Sequence, residues 1–386
     1  MSLASAPEIQ PGRPVDWPGL MRALGPRFAE RAPNHDATDT FVADNFAELK
    51  QHGALTAAVP AELGGGGASY PQLCDMVRTL AHYCGSTALT LSMHTHTVAT
   101  LAWRWRRDPK PVEGLLRRVA GERLLLIGSG ASDWLTSSGR AERHDGGWRI
   151  NAEKIFASGV PSGDLFLTQA VHDDPREGTT VLHFAVPLKG PGVAVQETWR
   201  ALGMRGTGSH HVRFKDVVVA DSAIALRRPA GKWIPLFHLY ACIIPLPLIY
   251  AAYLGIAEAA RDAAVGLARK RPPDSALFSL VGEMENALAT ARMAHRGMVE
   301  AAEGCTAPGP EITNRVMVAR TLVGRAAVEV VEKAMEAVGG SAFYRAAGLE
   351  RLFRDVQGAR FHRPQQRTQL ELSGRLALGL GFDTQG

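Results

Sequence analysis

Residues 202–221, LGMRGTGSHHVRFKDVVVAD, decide the fold class of this chain. The stretch ends in HHVRFKDVVV, a run of alternating and β-branched residues that is typical of a β-strand. Comparable short runs, separated by Gly, Asp and Pro, occur between about 122 and 228: GWRINAEKIF, DLFLTQAV, TTVLHFAV and GVAVQETW. No helical pattern lies between them, so the sequence predicts antiparallel strands and not a doubly wound parallel sheet.

Helical patterns flank this β region on both sides. The stretch TDTFVADNFAELKQHG, residues 38–53, places apolar residues at helical spacing before a glycine stop signal. After Trp233 we predict long helices at about 241–270, 276–303 and 310–338, and a final helix that includes 350–362. The sequence therefore predicts an α+β fold. We divide it into an N-terminal helical domain (1–121), a central antiparallel, barrel-like β domain (122–230) and a C-terminal four-helix bundle (231–386).

The composition is that of a globular protein with a large core. The chain has 386 residues, of which 46% are hydrophobic and 21% are charged. Its four cysteines are far apart and form no C-x-x-C pair, so the sequence indicates neither a disulfide framework nor a zinc site. The first residues do not resemble a secretory signal. From these features we expect a reducing, cytoplasmic location.

One apolar run has almost the length of a membrane span. LYACIIPLPLIYAAYLGIA, residues 239–257, is uncharged and close to the roughly 20 residues that a spanning helix needs. Pro245 and Pro247 argue against a span. A helix buried in a large helical core explains the same run, and we therefore predict no membrane association.

The charge balance favours an anionic partner. The net charge is +5 and the pI is about 9.1, which would suit nucleic acid, a membrane surface or a phosphate-bearing substrate such as a CoA thioester. The densest basic cluster, RWRRDPK at 104–110, is typical of a solvated helix end. The sequence has no groove-reading motif, so we regard nucleic acid as an unfavoured partner. Neither the glycines at 64–67 nor LLLIGSG at 124–130 forms a phosphate-binding or dinucleotide fingerprint.

A set of local motifs, in this order, resembles the acyl-CoA dehydrogenase superfamily over nearly the whole chain. The motifs are AELGGGGASY (61–70), SGASDW (129–134), RINAEKIFASG (149–159), the opening stretch at 202–221, and AMEAVGGSAFYRAAGLERLFRDVQGARF (334–361). The resemblance implies an FAD held between the β domain and the helical bundle. It also implies a homodimer or homotetramer whose subunits complete each other's cofactor site, with an electron-transfer flavoprotein as redox partner.

The implied reaction is the α,β-dehydrogenation of an acyl-CoA thioester. A base takes the α-proton and the flavin takes the β-hydride, so the protein must position the substrate and supply the base. By the same resemblance, Phe156 shields the flavin ring and Ser158 is a hydroxyl donor toward the flavin. Ser132 and Thr136 fall where the family meets the flavin pyrimidine edge or the thioester.

Other residues match the family's contacts with the adenosine and pyrophosphate end of FAD. Arg271 matches an arginine that reaches the pyrophosphate across the subunit interface, where its fork of donors suits phosphate. Gly339 and Gly340 match a glycine pair that lets the backbone approach the cofactor, although a helix-stop turn also explains them. Glu336 replaces a family Gln and puts a carboxylate close to the pyrophosphate.

The stretch LERLFRDVQGARFHRPQQ, residues 349–366, lacks the catalytic carboxylate of the family. The usual Glu stands nine residues after the Arg of Arg-Asp, which is the position of Arg363, and arginine cannot act as a base near neutral pH. The less common Glu position corresponds to about Pro245. Glu258 and Glu371 lie away from both positions.

His362 stands next to the missing base. Members of the superfamily that use reduced flavin and oxygen to hydroxylate aromatic or sulfur substrates often have a His at this place and a Ser at that of Ser158. An imidazole and a hydroxyl can hold and protonate reactive oxygen without a carboxylate. His362 and Ser158 are therefore our candidate catalytic residues. A helix-capping or solvent-exposed His362 is the alternative interpretation.

The candidate substrate-binding residues are His94, Tyr250 and Arg363, in a pocket that is apolar or aromatic in character. His94 and His96 lack a third ligand nearby, so we predict no metal site.

Three functional hypotheses follow. The first is an FAD-dependent acyl-CoA dehydrogenase with an unrecognised base. The second is a two-component monooxygenase that takes reduced FMN or FAD as co-substrate from a flavin reductase. The third is a non-catalytic flavin-binding or nucleic-acid-binding protein.

Overall fold

The computed structural model describes residues 15–130, 133–176, 178–270, 272 and 274–383. Its N-terminal region is helical, and the predicted glycine stop is confirmed because Gly53, which follows the C-cap His52 of α2, adopts a left-handed φ of 68°. A capping box of Ser69 and Gln72 starts α3. The helices of this region are α1 (Trp17–Thr38), α2 (Ala43–Gln51), α3 (Tyr70–Ala81), α4 (Gly85–Trp105) and α5 (Glu113–Glu122).

A single sheet follows the N-terminal helices. Its strands are β1 (Leu126–Gly128), β2 (Arg140–His144), β3 (Gly147–Ala157), β4 (Leu165–Asp174), β5 (Gly178–Pro187), β6 (Val193–Gln196), β7 (His210–Ala220) and β8 (Leu226–Pro229). The strand order is β6-β7-β3-β2-β4-β5-β8, and β1 pairs with β4 beside this path. Trp148, Ile150, Phe166 and Phe214 are among the side chains that the sheet buries.

Most of the pairing is antiparallel, as predicted from the alternating runs. The prediction was incomplete, because β1 runs parallel to β4 and β2 meets β4 in one parallel bridge, Arg140↔Val171. Parallel neighbours need a long crossover connection. The hairpin of β2 and β3 supplies it between β1 and β4.

The C-terminal region is again helical, and the predicted α+β fold is confirmed. Its helices are α6 (Pro235–His238), a π-helical turn (Leu239–Ile243), α7 (Pro245–Ala268), α8 (Ser275–Glu303), α9 (Pro310–Val338), α10 (Leu349–Val356) and α11 (Gln366–Ala377). Helices α7, α8 and α9 pack on one another, and α10 and α11 pack on α9. The domain boundaries at 121/122 and 230/231 stay a prediction.

The predicted final helix over 350–362 is wrong beyond Val356. Helix α10 ends there, a 3-10 turn covers Gln357–Arg360, and His362 lies in the turn that follows. Two tyrosines of α7 explain the difference. The Tyr250 hydroxyl donates to the carbonyl oxygen of Ala359 at 2.5 Å, and a Cβ on Gly358 would lie 2.6 Å from the Tyr253 hydroxyl oxygen.

The apolar run at the start of this region is a core helix. The segment Pro235–Ala268 is long and apolar enough to cross a membrane, with a mean hydropathy of 1.9, but 89% of its most apolar window is buried inside the fold. It packs against α3, α4, α8 and α9. Pro245 and Pro247 stand in the first turn of α7, where a missing backbone N–H costs nothing.

A buried ion pair fixes the loop between β1 and β2. Lys154 of β3 and Asp133 of the loop have side chains that are 0% and 1% exposed, and their charged atoms are 2.5 Å apart. The lysine also donates to the carbonyl oxygens of Ser138 and Gln169 at 2.7 Å each. The carboxylate accepts from surrounding hydroxyls, those of Ser129, Ser137 and Thr168. Both charges are therefore fully compensated inside the sheet.

Replacement of Lys154 by Met should destabilise the protein strongly, because it leaves the Asp133 carboxylate buried and unpaired. Loss of one partner of such a pair costs about 3–5 kcal/mol. Urea unfolding, followed by far-UV circular dichroism, measures the effect. Lys189→Met removes an exposed lysine of the same region and serves as the control. A loss below about 1 kcal/mol, the range of surface ion pairs, would contradict the assignment.

Candidate functional site

The residue predicted to shield a flavin, Phe156, stands at an irregularity of β3. Pairing with β7 shifts register between Lys154 and Ala157, and Phe156 adopts a φ of 57°. Positive φ is rare for a bulky residue, and such strain is concentrated at functional sites. The Phe156 side chain is 52% exposed, and its ring meets the Trp199 ring edge to face at 5.8 Å. The bulge thus presents an aromatic ring outward.

Ser158 lies two residues further on and is buried. Its hydroxyl oxygen is 2.8 Å from that of Ser209, which is 2.7 Å from that of Thr207. The Thr207 hydroxyl donates to the carbonyl oxygen of Met204 at 2.9 Å. This group of hydroxyls was not recognised in the sequence. Its only signal is the run Thr207 to Ser209 within the opening motif.

The loop that resembles the flavin-edge motif is only partly described. Ser132 lies outside the described residues, and Thr136 is exposed. A cavity of about 140 Å³ separates this loop from α11 and the chain end. Its lining combines aromatic and charged side chains, among them Trp134, Trp233, Glu371, Arg375, Phe382 and Asp383. The structure therefore brings the loop next to α11, with charges of both signs at the cavity.

The residues predicted for the far end of the cofactor lie at the end of α9. Gly339 and Gly340 are exposed, a Cβ on either would meet open space, and Gly339 has a φ of 74°. Glu336 pairs with Lys333 at 3.1 Å. Arg271 lies outside the described residues. Within the described part of the chain, no hydrogen bond or ring contact joins these residues to Phe156, Ser158 or His362. Their predicted contact across a subunit interface stays a prediction.

His362 is held by three side chains of the helical bundle. Its Nε2 is 2.6 Å from the Tyr253 hydroxyl oxygen. Arg320 of α9 donates to the His362 carbonyl oxygen at 2.7 Å, and its guanidinium lies over the Tyr250 ring at 5.1 Å. Tyr250 in turn holds Ala359, as described above. Hydrogen bonds therefore fix both the backbone of this turn and the imidazole ring of His362.

The His362 ring is neutral. Burial, together with the positive charge of Arg320 and the neighbouring His96, lowers the pKa of His362 to about 3. Burial also raises the pKa of Tyr253 well above its usual range, so its phenol keeps its proton. In the described structure that proton has no acceptor other than His362 Nε2. Since an unpaired buried donor is costly, Tyr253 donates to Nε2 and the imidazole proton is on Nδ1.

His96 of α4 faces the same region. Burial and the nearby His94 lower the pKa of His96 to about 3. Its carbonyl oxygen accepts from the Thr100 hydroxyl, but no side chain or backbone group of the described residues forms a hydrogen bond with its imidazole. His96 therefore offers a second neutral imidazole beside His362, one whose nitrogens are available.

The three predicted substrate-binding residues differ in what they can offer. His94 is buried, and its two ring nitrogens are hydrogen-bonded to the Leu55 carbonyl oxygen at 2.7 Å and to the Leu126 amide at 3.0 Å. The prediction for His94 is therefore corrected to a structural link, since neither nitrogen is free. The Tyr250 hydroxyl is likewise occupied by Ala359. Arg363 is exposed beside His362, and its substrate contact stays a prediction.

Neither glutamate considered in the sequence replaces the missing base. Burial opposes ionisation of Glu258, but Arg78 and Arg292 bind it and lower its pKa. Glu371 lines the cavity near α11. In the parts of the chain that the structure describes, no carboxylate is hydrogen-bonded to His362. No three His, Cys, Asp or Glu side chains of those parts are grouped to hold a metal ion.

Family comparison agrees with this architecture. The N-terminal, middle and C-terminal domains of acyl-CoA dehydrogenase match residues 22–105, 128–217 and 248–367. The chain belongs to the acyl-CoA dehydrogenase superfamily. The fold and the resemblance inferred from the motifs are thereby confirmed.

Similar members of the superfamily are named for different reactions. The L-evernosamine nitrososynthase of a Micromonospora species is 31% identical over 404 residues, covering 98% of this chain and 93% of its own length. YdbM of Bacillus subtilis, a candidate acyl-CoA dehydrogenase, is 29% identical over 382 residues. The match covers 92% of this chain and 94% of YdbM. The structure of KijD3 was solved with FMN and dTDP-3-amino-2,3,6-trideoxy-4-keto-3-methyl-D-glucose. It has a TM-score of 0.89 to this chain at 27% identity, and the match covers 98% of this chain and 97% of KijD3. The superfamily fold alone therefore does not fix the reaction.

Replacement of Tyr253 by Phe should release the tautomer of His362. Without the phenol proton on Nε2, the imidazole proton is no longer confined to Nδ1, and one hydrogen bond worth about 1 kcal/mol is lost. Imidazole ¹⁵N chemical shifts, which differ between protonated and bare nitrogens, measure the change in the flavin-free protein. Tyr250→Phe removes a hydroxyl that donates to the Ala359 carbonyl oxygen and not to the His362 ring, and it is the matched control. Identical His362 shifts in the wild type and Tyr253→Phe would contradict the assigned tautomer.

Proposed function

We propose that this chain is the oxygenase component of a two-component flavin monooxygenase, and that it oxidises a nucleophilic nitrogen of a small molecule. One observation carries the proposal: a neutral imidazole, His362, held by the Tyr253 hydroxyl, stands next to Arg363, the position at which the resemblance expects the catalytic carboxylate of a dehydrogenase. A hydrogen-bond donor of low basicity suits oxygen chemistry, whereas removal of an α-proton requires a stronger base than an imidazole whose pKa is about 3.

The residues of the β domain fit a flavin. Phe156 presents an exposed ring for a flat cofactor, with the Trp199 edge behind it, and the Ser158 hydroxyl stands two residues away. Bound reduced flavin supplies two electrons, so that one atom of O₂ enters the amine as a hydroxylamine and the other leaves as water. His362 Nδ1–H is the donor that this chain contributes to the reacting oxygen.

The substrate and cofactor assignments draw on the relatives. L-evernosamine nitrososynthase is named for nitrogen oxidation, and KijD3 was solved with FMN and an amino sugar nucleotide. We therefore favour reduced FMN over the FAD expected from the motifs, and a flavin reductase over an electron-transfer flavoprotein as partner. A homodimer or homotetramer and a cytoplasmic location remain part of the proposal. Exposed aromatic side chains at the C-terminal turns, those of Phe343, Tyr344 and Phe361, support self-association.

Acyl-CoA dehydrogenation is the second candidate, favoured by the similarity to YdbM. Arg363 and Pro245 at the two family positions of the base oppose it. The third hypothesis, a non-catalytic flavin-binding or nucleic-acid-binding protein, gains no support from the densest basic cluster. Part of the basic cluster at 104–110 is engaged within the chain, since Arg107 stacks on Trp103 at 3.4 Å and Arg104 donates to the Ala225 carbonyl oxygen.

Two assays separate the two enzymatic candidates. In the first, the FAD-loaded or FMN-loaded protein is titrated anaerobically with a panel of acyl-CoA thioesters, and the oxidised flavin band is followed. In the second, reduced FMN and oxygen are supplied with amine, thioether and phenol substrates, and hydroxylated products are identified by mass spectrometry. We expect no bleaching in the first assay and an N-hydroxylated product in the second. Bleaching by a thioester would overturn the proposal.

Replacement of His362 by Ala should abolish most of the oxygenation. Loss of one positioned hydrogen-bond donor to the reacting oxygen lowers such rates by about 10²- to 10³-fold. Rapid mixing of the reduced-flavin complex with oxygen and substrate, with product quantified, measures the effect. His144→Ala removes an exposed histidine and should leave the rate unchanged. Product formation at the wild-type rate in His362→Ala would exclude the proposed role.

A further inference from the structure

The hydroxyl of Ser158 stands at one end of a row of oxygen atoms. Its Oγ is 2.8 Å from Ser209 Oγ, which is 2.7 Å from Thr207 Oγ1, which is 2.9 Å from the Met204 carbonyl oxygen. Ser209 and Thr207 are 4% and 0% exposed, so water does not replace these contacts. Each distance lies in the range of an O–H···O hydrogen bond.

The order of donors along this row is fixed by counting protons. Three oxygen pairs lie in contact, and each is favourable only if a proton lies between its two atoms. Three hydroxyls supply one proton each, and the last oxygen, a carbonyl, supplies none. The Met204 carbonyl oxygen also accepts from the Trp199 indole and the Thr207 amide, so it acts purely as an acceptor.

Only one arrangement places a proton in every contact. Thr207 donates to Met204, Ser209 donates to Thr207, and Ser158 donates to Ser209. The Ser158 proton is therefore used within the protein, and its oxygen has only lone pairs to offer a ligand. The sequence predicted the opposite, a hydroxyl donor toward the flavin.

We propose that Ser209 and Thr207 are positioning residues that make Ser158 a hydrogen-bond acceptor and thereby select reduced flavin over oxidised flavin. This inference rests on the proposed flavin site. Reduced flavin carries an N–H group at a ring nitrogen that is bare in oxidised flavin. A hydroxyl that acts only as an acceptor can form a hydrogen bond with the N–H group of reduced flavin. With the bare nitrogen of oxidised flavin it forms no hydrogen bond, because both atoms present lone pairs and repel each other.

The preference suits a protein that receives its flavin already reduced. A component that binds the reduced form more tightly takes it from solution and releases the oxidised product. To bind oxidised flavin equally well, Ser158 would have to withdraw its proton from Ser209 and leave one buried contact without a proton. One neutral hydrogen bond corresponds to about a three- to tenfold difference in affinity.

Affinity for the two redox states of FMN tests this inference directly. The dissociation constant of oxidised FMN is measured in air, and that of dithionite-reduced FMN is measured anaerobically, both by isothermal titration calorimetry. We expect the wild type to favour reduced FMN. Ser209→Ala frees the Ser158 proton and should lower the ratio of the oxidised to the reduced dissociation constant by about three- to tenfold.

A conservative pair at Thr207 provides the control for folding and packing. Thr207→Val keeps the shape but removes the hydroxyl that anchors the row, so the ratio should fall as in Ser209→Ala. Thr207→Ser keeps the hydroxyl and should keep the wild-type ratio. In a Ser158→Ala background the Ser209 substitution should have no further effect on the ratio, because the reporting hydroxyl is gone.

The outcomes separate this inference from the proposed function. Binding of both FMN states with the same ratio in wild type, Ser209→Ala and Thr207→Val overturns the inference alone. A ratio that falls equally in Thr207→Ser and Thr207→Val assigns the effect to packing and also overturns it. Absence of binding of either FMN state to the wild type overturns the proposed function and, with it, the inference.

Discussion

The burial of α7 is the constraint on which the position of the His362 turn depends. This helix is apolar on nearly every side because α3, α4, α8 and α9 surround it. Its few polar atoms must therefore find partners at its surface, and the hydroxyls of Tyr250 and Tyr253 find them in the turn after α10. The position of His362 is thus a consequence of how a buried helix satisfies its two phenols.

The candidate flavin-facing residues of the β domain are fixed by a separate set of contacts. The compensated Lys154–Asp133 pair attaches the loop after β1 to the middle of the sheet. Two residues beyond Lys154 the strand breaks register, and Phe156 turns outward. The Trp199 ring supports Phe156, while its indole N–H donates to the Met204 carbonyl oxygen that ends the Ser158 row. The Phe156 ring and the Ser158 hydroxyl are therefore both supported by residues of the segment 199–209.

The sequence predicted features with a local cause, and it missed those that arise from long-range contacts. The alternation in β7 and the stop at Gly53 could be recognised because each depends on its own residues. The end of α10 could not be recognised, since it is decided by tyrosines about a hundred positions earlier in the chain. The donor order at Ser158 depends on Ser209, which is 51 residues away. The hydrogen bonds that occupy both ring nitrogens of His94 likewise come from distant backbone groups, those of Leu55 and Leu126.

The charge state of the site distinguishes the two chemistries more sharply than the fold does. A dehydrogenase of this superfamily needs an anionic base that becomes neutral when it takes a proton. In this chain the imidazoles and the phenol around His362 are held neutral instead: His362 and His96 by burial, and Tyr253 by a raised pKa. An imidazole whose pKa is about 3 can orient a ligand and donate a hydrogen bond, but it is a weak base and a poor acceptor of a proton from carbon. Burial itself, which lowers the pKa of these imidazoles, therefore supports the proposed oxygen transfer, in which donors come from the helical bundle and an acceptor comes from the β domain.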